Sequence, residues 1–247
     1  MEKYIQKYKA GSRSTIAKSR EKQLNRIERL TPPSTAATGE YVFPYVNTST
    51  DMTISMHQLE IGYEQPLLPP ITLSITTGEK VLIKGFNGLG KSTLLKTVLG
   101  LLPSLGGEAV LPMNGKINYF SQELEWDNIN DTPFSFIKGK MPHLTTKEVR
   151  SKLSRSGLTA EHVEKPLAQL SGGEQTKVKL CAMTLVNSHI LVMDEPTNHL
   201  DKETKRALSV AVTNFPGTVL LVSHEKHFYE GVVSKIVDVE SLQLNKM

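Results

Sequence analysis

Two residue sets in this chain have the types and spacing to do chemistry on a phosphate. The first is GFNGLGKS, residues 85–92, which matches G-x-x-x-x-G-K-[ST] between an apolar run and a helical pattern. Gly85, Gly88 and Gly90 let backbone N–H groups wrap phosphate oxygens, Lys91 reaches β- and γ-phosphates, and the Ser92 hydroxyl is a Mg²⁺ ligand. The second is ILVMDE, residues 190–195, an apolar run that ends in two carboxylates. Asp194 is placed to hold Mg²⁺ through water, and Glu195 to orient or deprotonate an attacking water. Alone, two acids at a strand end are ordinary solvated loop residues; the phosphate loop upstream makes them a pair with a task.

Three more polar residues end apolar runs. Gln122 closes INYFSQ, His224 closes LLVSH, and Tyr63 lies in IGYEQPL ahead of the phosphate loop. A lone His after a strand is more often a surface residue, and Gln122 could be a plain strand terminus. In this motif order His224 suits a γ-phosphate contact, Gln122 a Mg²⁺ and water contact, and Tyr63 a stacking surface for adenine. His199 and His227 have no companions at metal-ligand spacing, so no metal site is assigned to them. A second anion site lies in LSGGEQ, residues 170–175, where Ser171, Gly172 and Gly173 open a helix with bare N–H groups.

The elements that must position these residues follow from periodicity. TISMHQLEI and ITLSITT alternate as half-buried antiparallel strands do. KVLIKG (80–85), KINYFSQ (116–122), HILVMDEP and TVLLVSHE read as strands. STLLKTVLGLL (92–102), GEQTKVKLCAMTLVN and KETKRALSVAVTNF read as helices. Residues 123–165 are polar and helical in composition, broken at Pro133, Pro142 and Gly157. The later half therefore alternates helix and strand, an α/β class with a parallel central sheet. Cys181, the single cysteine, falls in an apolar stretch and is expected in the core.

Charge is unevenly spread. Residues 1–30 hold nine Lys/Arg against three Glu, +6, while the whole chain is +4, so the other 217 residues sum to −2. The stretch from Ser12 to Leu30 has a thin apolar stripe and mainly basic faces, and TPPSTAATGEY breaks it with prolines. The expected organisation is a basic helical arm at 1–34, a flexible linker at 35–51 and a nucleotide-binding domain at 52–247, with a helical subdomain near 123–185. No apolar run reaches membrane-spanning length, and the charged start is not a secretory signal, so a cytoplasmic location is expected.

GFNGLGKS, Gln122, LSGGEQ, LVMDEPTNHLD (191–201) and SH (223–224) come in the order of an ATP-binding cassette ATPase domain, and the chain resembles that family over about residues 52–240. The resemblance implies an ABC-type P-loop fold with a RecA-like core, an antiparallel β subdomain and a helical subdomain. It implies ATP and Mg²⁺ as ligands, and adds Asn87 and Thr93 to the phosphate contacts. It also implies that Ser171–Gly173 caps the γ-phosphate of ATP held by a second cassette, and that Asp201 belongs to a loop that communicates across the interface.

DEPTNHLD further resembles the ABC-F subfamily, whose members carry two cassettes on one chain and act on ribosomes. KYKAGSRSTIAKSREKQLNRIERL resembles the distal arm of the linker joining those cassettes, which contacts tRNA and ribosomal RNA. With no first cassette ahead of this arm, the expectation is a fragment, a truncated gene or a half-size homodimer, with weak hydrolysis by a lone cassette. The competing expectation is the ATP-binding subunit of a membrane transporter, with a groove for a membrane partner near residues 122–165.

Overall fold

The computed structural model describes residues 39–244. The expected arm at 1–34 lies outside the described residues, as does the first part of the expected linker.

Two sheets carry the domain. The smaller is antiparallel, in the order β2-β1-β4, from β1 (Ile54–Glu60), β2 (Ile71–Ile75) and β4 (Gly106–Val110). The larger is parallel, in the order β5-β6-β7-β3-β8, from β3 (Lys80–Lys84), β5 (Ile117–Phe120), β6 (Ile190–Asp194), β7 (Thr218–Val222) and β8 (Lys235–Asp238). ILVMD and TVLLV are buried at every position, because central parallel strands are covered on both faces. In β1 and just after it the buried apolar residues fall at 54, 56, 59 and 61, a break in alternation. The chain absorbs it with a bulge: the register shifts between Met56 and Leu59, and Gln58 takes φ 47°. Both halves of the strand thereby keep their apolar side chains inward.

The helices are α1 (Lys91–Val98), α2 (Pro133–Lys140), α3 (Thr146–Arg155), α4 (Ala160–Glu164), α5 (Gly172–Met183), α6 (Lys202–Asn214), α7 (Lys226–Tyr229) and α8 (Val239–Leu244). Helices α2 to α5 each begin with a reciprocal cap: Thr132 with Ser135, Thr145 with Glu148, Thr159 with His162, and Ser171 with Glu174. They share a core of Phe136, Ile137, Val149, Leu153, Val163 and Val178, which Cys181 joins. Burial pushes the Cys181 thiol up to about 11, which leaves it unreactive.

The stretch expected as a flexible linker behaves differently from residue 39 onward. Tyr41 and Phe43 are buried in the core with Leu191, Leu208, Val212 and Phe215. Tyr41 donates its hydroxyl to the carbonyl of Ser156 at 3.0 Å, and Tyr45 makes a parallel bridge to Ser188. The alternation in YVFPYV, with Val42 exposed between the two buried rings, is what fastens it. Strands β4 and β8 are also additions to what periodicity predicts.

Candidate active site

The parallel sheet delivers its polar residues at the carboxyl ends of neighbouring strands, where α/β sheets open a crevice. β3 runs into the phosphate loop and α1. Gly90 caps α1 with φ 88°, a left-handed conformation, and a Cβ there would meet the Leu67 side chain at 3.0 Å. The buried Lys91 ammonium donates to the carbonyls of Gly85 at 2.8 Å and Phe86 at 2.9 Å, so the loop backbone holds it in place.

A cleft of about 430 Å³ brings together Tyr63, Asn87, Gly88, Gly90, Lys91 and Thr93 with Ser92, Gln122, Asp194 and Glu195. Ser92 donates its hydroxyl to Gln122 Oε1 at 3.3 Å, which ties the start of α1 to the end of β5. Tyr63 stands at the edge, 67% exposed, with a ring face open to a base. Gly85 contributes through the carbonyl that receives Lys91.

Asp194 is 1% exposed, and neither carboxylate oxygen has a hydrogen-bond partner among the described residues. Burial pushes its carboxyl above the usual range; the nearby Ser92 hydroxyl opposes this, the Glu195 charge adds to it, and Lys91 and Lys96 oppose it. A buried carboxylate left in this state is costly unless a cation shares it. A hydroxyl, an amide oxygen and a carboxylate are the hard oxygen donors that Mg²⁺ takes, so Ser92, Gln122 and Asp194 fit that ion.

Glu195 is buried at the turn after β6 with φ 49°, a strained conformation for a non-glycine residue, and its backbone N–H is anchored on the Val222 carbonyl at 2.9 Å. His224 Nδ1 lies 2.9 Å from Glu195 Oε2, at ion-pair distance. His224 is thus reached through Glu195 and does not itself line the cleft.

Ser171, Gly172, Gly173 and Asp201 are not among the cleft residues. Ser171 caps α5, and Glu174 returns its carboxylate to the Ser171 N–H at 2.8 Å while standing 3.3 Å from His162 Nε2. A side chain at Gly173 would force the backbone to shift: a Cβ there would lie 2.4 Å from the His199 carbonyl oxygen. Asp201 caps α6 by accepting from the Thr204 N–H and hydroxyl, each at 2.8 Å, and it pairs with Lys177 at 2.8 Å. Burial alone would raise the Asp201 carboxyl; Lys177 and Thr204 outweigh it and hold the group at about 2. Glu174, Lys177 and the His199 carbonyl were not singled out from the sequence. Glu174 was findable, since S-x-x-E ahead of an apolar run is a capping box; the Lys177 partner lies 24 residues away and leaves no local trace.

A family model described as ABC transporter matches residues 68–198, and a second with the same description matches residues 1–42. YfmM, an uncharacterized ABC transporter ATP-binding protein of Bacillus subtilis, is 36% identical over 230 residues, 93% of this chain and 44% of its own length. ABC transporter F family member 5 of Arabidopsis thaliana is 32% identical over 237 residues, 94% of this chain and 34% of its own. The probable ATP-binding protein YbiT of Escherichia coli O157:H7 is 31% identical over 248 residues, 97% and 46%. A solved putative ABC transporter ATP-binding protein from Pyrococcus furiosus superposes with a TM-score of 0.63 at 24% identity, over 77% of this chain and 99% of that one. The chain belongs to the ABC transporter family and carries its ATP-binding cassette domain. It spans less than half the length of these curated relatives. Among the described residues no helix is long and apolar enough to cross a membrane.

Proposed function

We propose that the chain is the ATP-hydrolysing cassette of an ABC-F protein that acts on the ribosome in the cytoplasm, in translation or in protecting the ribosome from an antibiotic. The observation that carries the hydrolytic part is the buried pair at the end of β6: an orphaned Asp194 beside a strained Glu195 that faces the phosphate loop. The ribosomal part is supported by DEPTNHLD, by the basic residues at 1–30 and by relatives named as F family members.

In this proposal the phosphate-loop N–H groups and Lys91 bind the β- and γ-phosphates, and Tyr63 stacks on adenine. Glu195 orients the attacking water and takes its proton, and His224 steadies the Glu195 carboxylate. Gln122 and Ser92 present oxygens at the same end of the cleft. Mg²⁺ held by Ser92, Gln122 and Asp194 would supply charge neutralisation for the transferred phosphoryl group. The Ser171–Gly173 turn closes over the ATP of a second cassette, either an N-terminal half or another copy, so a lone cassette turns over weakly. Ribosomal RNA and tRNA are the partners of the basic arm, through phosphate neutralisation that weakens as salt rises.

The test is ribosome co-sedimentation of the Glu195→Gln chain with and without ATP, supplemented with a first cassette. ATP-dependent pelleting supports the proposal; indifference to ribosomes in every mixture removes it. A second reading, the ATP-binding subunit of a transporter, is favoured by a groove of about 400 Å³ between β5 and the helical unit, lined by Phe120, Leu124, Phe136, Met141 and Val186. Stoichiometric co-purification with a membrane protein in detergent would favour it over the ribosomal one.

A further inference from the structure

The hydroxyl of Tyr119, on β5, is buried and has no hydrogen-bond partner among the described residues. A phenol left in that state is costly, so its proton calls for an acceptor. One stands on the next strand. β5 and β6 run parallel with Tyr119 beside Val192, and residues two apart on a strand share a face. Tyr119, Val192 and Asp194 therefore stand on one side of the sheet. That side is the one α1 covers, since Tyr119 packs on the cluster that holds Val192, Leu94 and Leu95. Asp194 lies one strand over and one pleat further on, a diagonal that an aromatic side chain can span.

Both Asp194 oxygens lack a partner as well, so a buried donor and a buried acceptor are each left over at the same end of the sheet. Burial pushes the Tyr119 hydroxyl up to about 12, and the charges of Asp194, Glu125 and Glu123 add to this in that order. The phenol thus keeps its proton at pH 7, and Asp194 is the only buried acid of the three. Two groups that act on each other this way without a direct hydrogen bond are suitably placed for one bridging water. We infer that Tyr119 is a positioning residue for the cation end of the cleft: its hydroxyl donates through one water to the Asp194 carboxylate and fixes how that carboxylate presents its oxygens. The inference rests on the reading of Ser92, Gln122 and Asp194 as Mg²⁺ donors. Tyr119 touches neither nucleotide nor ion in this scheme; it orients a ligand from behind, as outer partners of metal ligands do. It also stands three residues ahead of Gln122, which accepts from Ser92 at 3.3 Å, so one strand end serves two of the three donors.

Tyr119→Phe removes one oxygen and leaves the ring in the core. Binding of a fluorescent ATP analogue to the full chain, titrated with Mg²⁺, tests the inference without any turnover. The Mg²⁺ concentration at half-maximal binding should rise about tenfold, the lower end of what losing an outer partner costs. Mn²⁺ binding followed by electron spin resonance should show the same rise. Nucleotide Kd in EDTA should stay within about twofold, since no phosphate or base contact changes. In an Asp194→Asn background the substitution should move half-saturation by less than about twofold, because the group through which Tyr119 acts is gone. Should Tyr119→Phe fail to fold, Tyr119→Met carries the same readouts. An unmoved Mg²⁺ half-saturation, an equal loss of nucleotide affinity in EDTA, or a tenfold rise that persists beside Asp194→Asn would overturn the inference. Wild-type binding that ignores Mg²⁺ removes the cation reading and this inference with it. Mg²⁺ dependence that weakens in Asp194→Asn, yet is unmoved in Tyr119→Phe, removes the inference alone.

Discussion

The end of β6 and the start of α6 each present an aspartate, seven residues apart, one buried and one exposed, and the two are built in opposite ways. Asp194 has no hydrogen-bond partner among the described residues and its carboxyl is pushed up by burial; Asp201 has an ammonium, a hydroxyl and a backbone N–H, and its carboxyl is held at about 2. The first arrangement stores unfavourable energy that a cation would release. The second spends its polar groups on holding a shape. The cleft thus leaves its buried Asp194 carboxylate without a partner, while Asp201, beside the start of α5, has its oxygens satisfied.

The largest effect expected from breaking the contrast lies on the cleft side. Glu195→Gln should reduce ATP turnover roughly 10²–10⁴-fold, the worth of a positioned general base, with nucleotide binding retained. Single-turnover hydrolysis of radiolabelled ATP measures this. On the turn side, Gly173→Ala forces a methyl against a backbone carbonyl and should cost about 1–3 kcal/mol of stability by urea denaturation, with turnover falling as well. An unchanged midpoint would mean that the close approach of α5 to the 195–201 loop is not kept in solution.

The two aspartates should then respond to substitution with opposite signs. Asp201 has a depressed carboxyl, so its contribution is present above its ordinary value near 4 and is lost as pH falls toward 2. The side chain is 45% exposed, and after allowance for solvent screening Asp201→Asn should cost about 1 kcal/mol at pH 7. That deficit should vanish at the acid end of a pH series of urea melts. Asp194 has a raised carboxyl, so the fold is favoured with it protonated and loses that contribution as pH rises through the folded value. Asp194→Asn should therefore raise the unfolding free energy at pH 7 by about 1 kcal/mol, while abolishing Mg²⁺-dependent turnover. The smallest effect belongs to Tyr63→Ala, about fivefold weaker ATP binding with kcat preserved, since its ring is mostly in water and stacking is worth ~1 kcal/mol there. Isothermal titration separates it from the phosphate-side variants.

What could be read from the sequence divides along the same line. The cleft is assembled from contiguous signals, each a run of apolar residues that leads into the residues lining it, so KVLIKG, INYFSQ and ILVMDE mark both the strand and its contribution to the cleft. The turn side depends on pairs far apart in the chain, Lys177 with Asp201 and Gly173 with His199, and no periodicity marks such pairs. Tyr41 and Phe43 were lost to the linker because Pro, Thr and Ser dominate their surroundings, although their own alternation is a strand-like signal. β4 and β8 are four or five residues long, at the edge of their sheets, and too short for alternation to stand out.

The central claim is that the Ser171–Gly173 turn of one cassette completes the ATP site of another. Complementation between two inactive chains tests it most directly: Lys91→Ala, which lacks a phosphate ligand, mixed with Ser171→Arg, which blocks the turn. In a head-to-tail pair each mixed dimer keeps one intact composite site, so an equimolar mixture should recover about a quarter of wild-type ATP turnover. A mixture that forms mixed dimers yet turns over no faster than the sum of its two components would contradict the account.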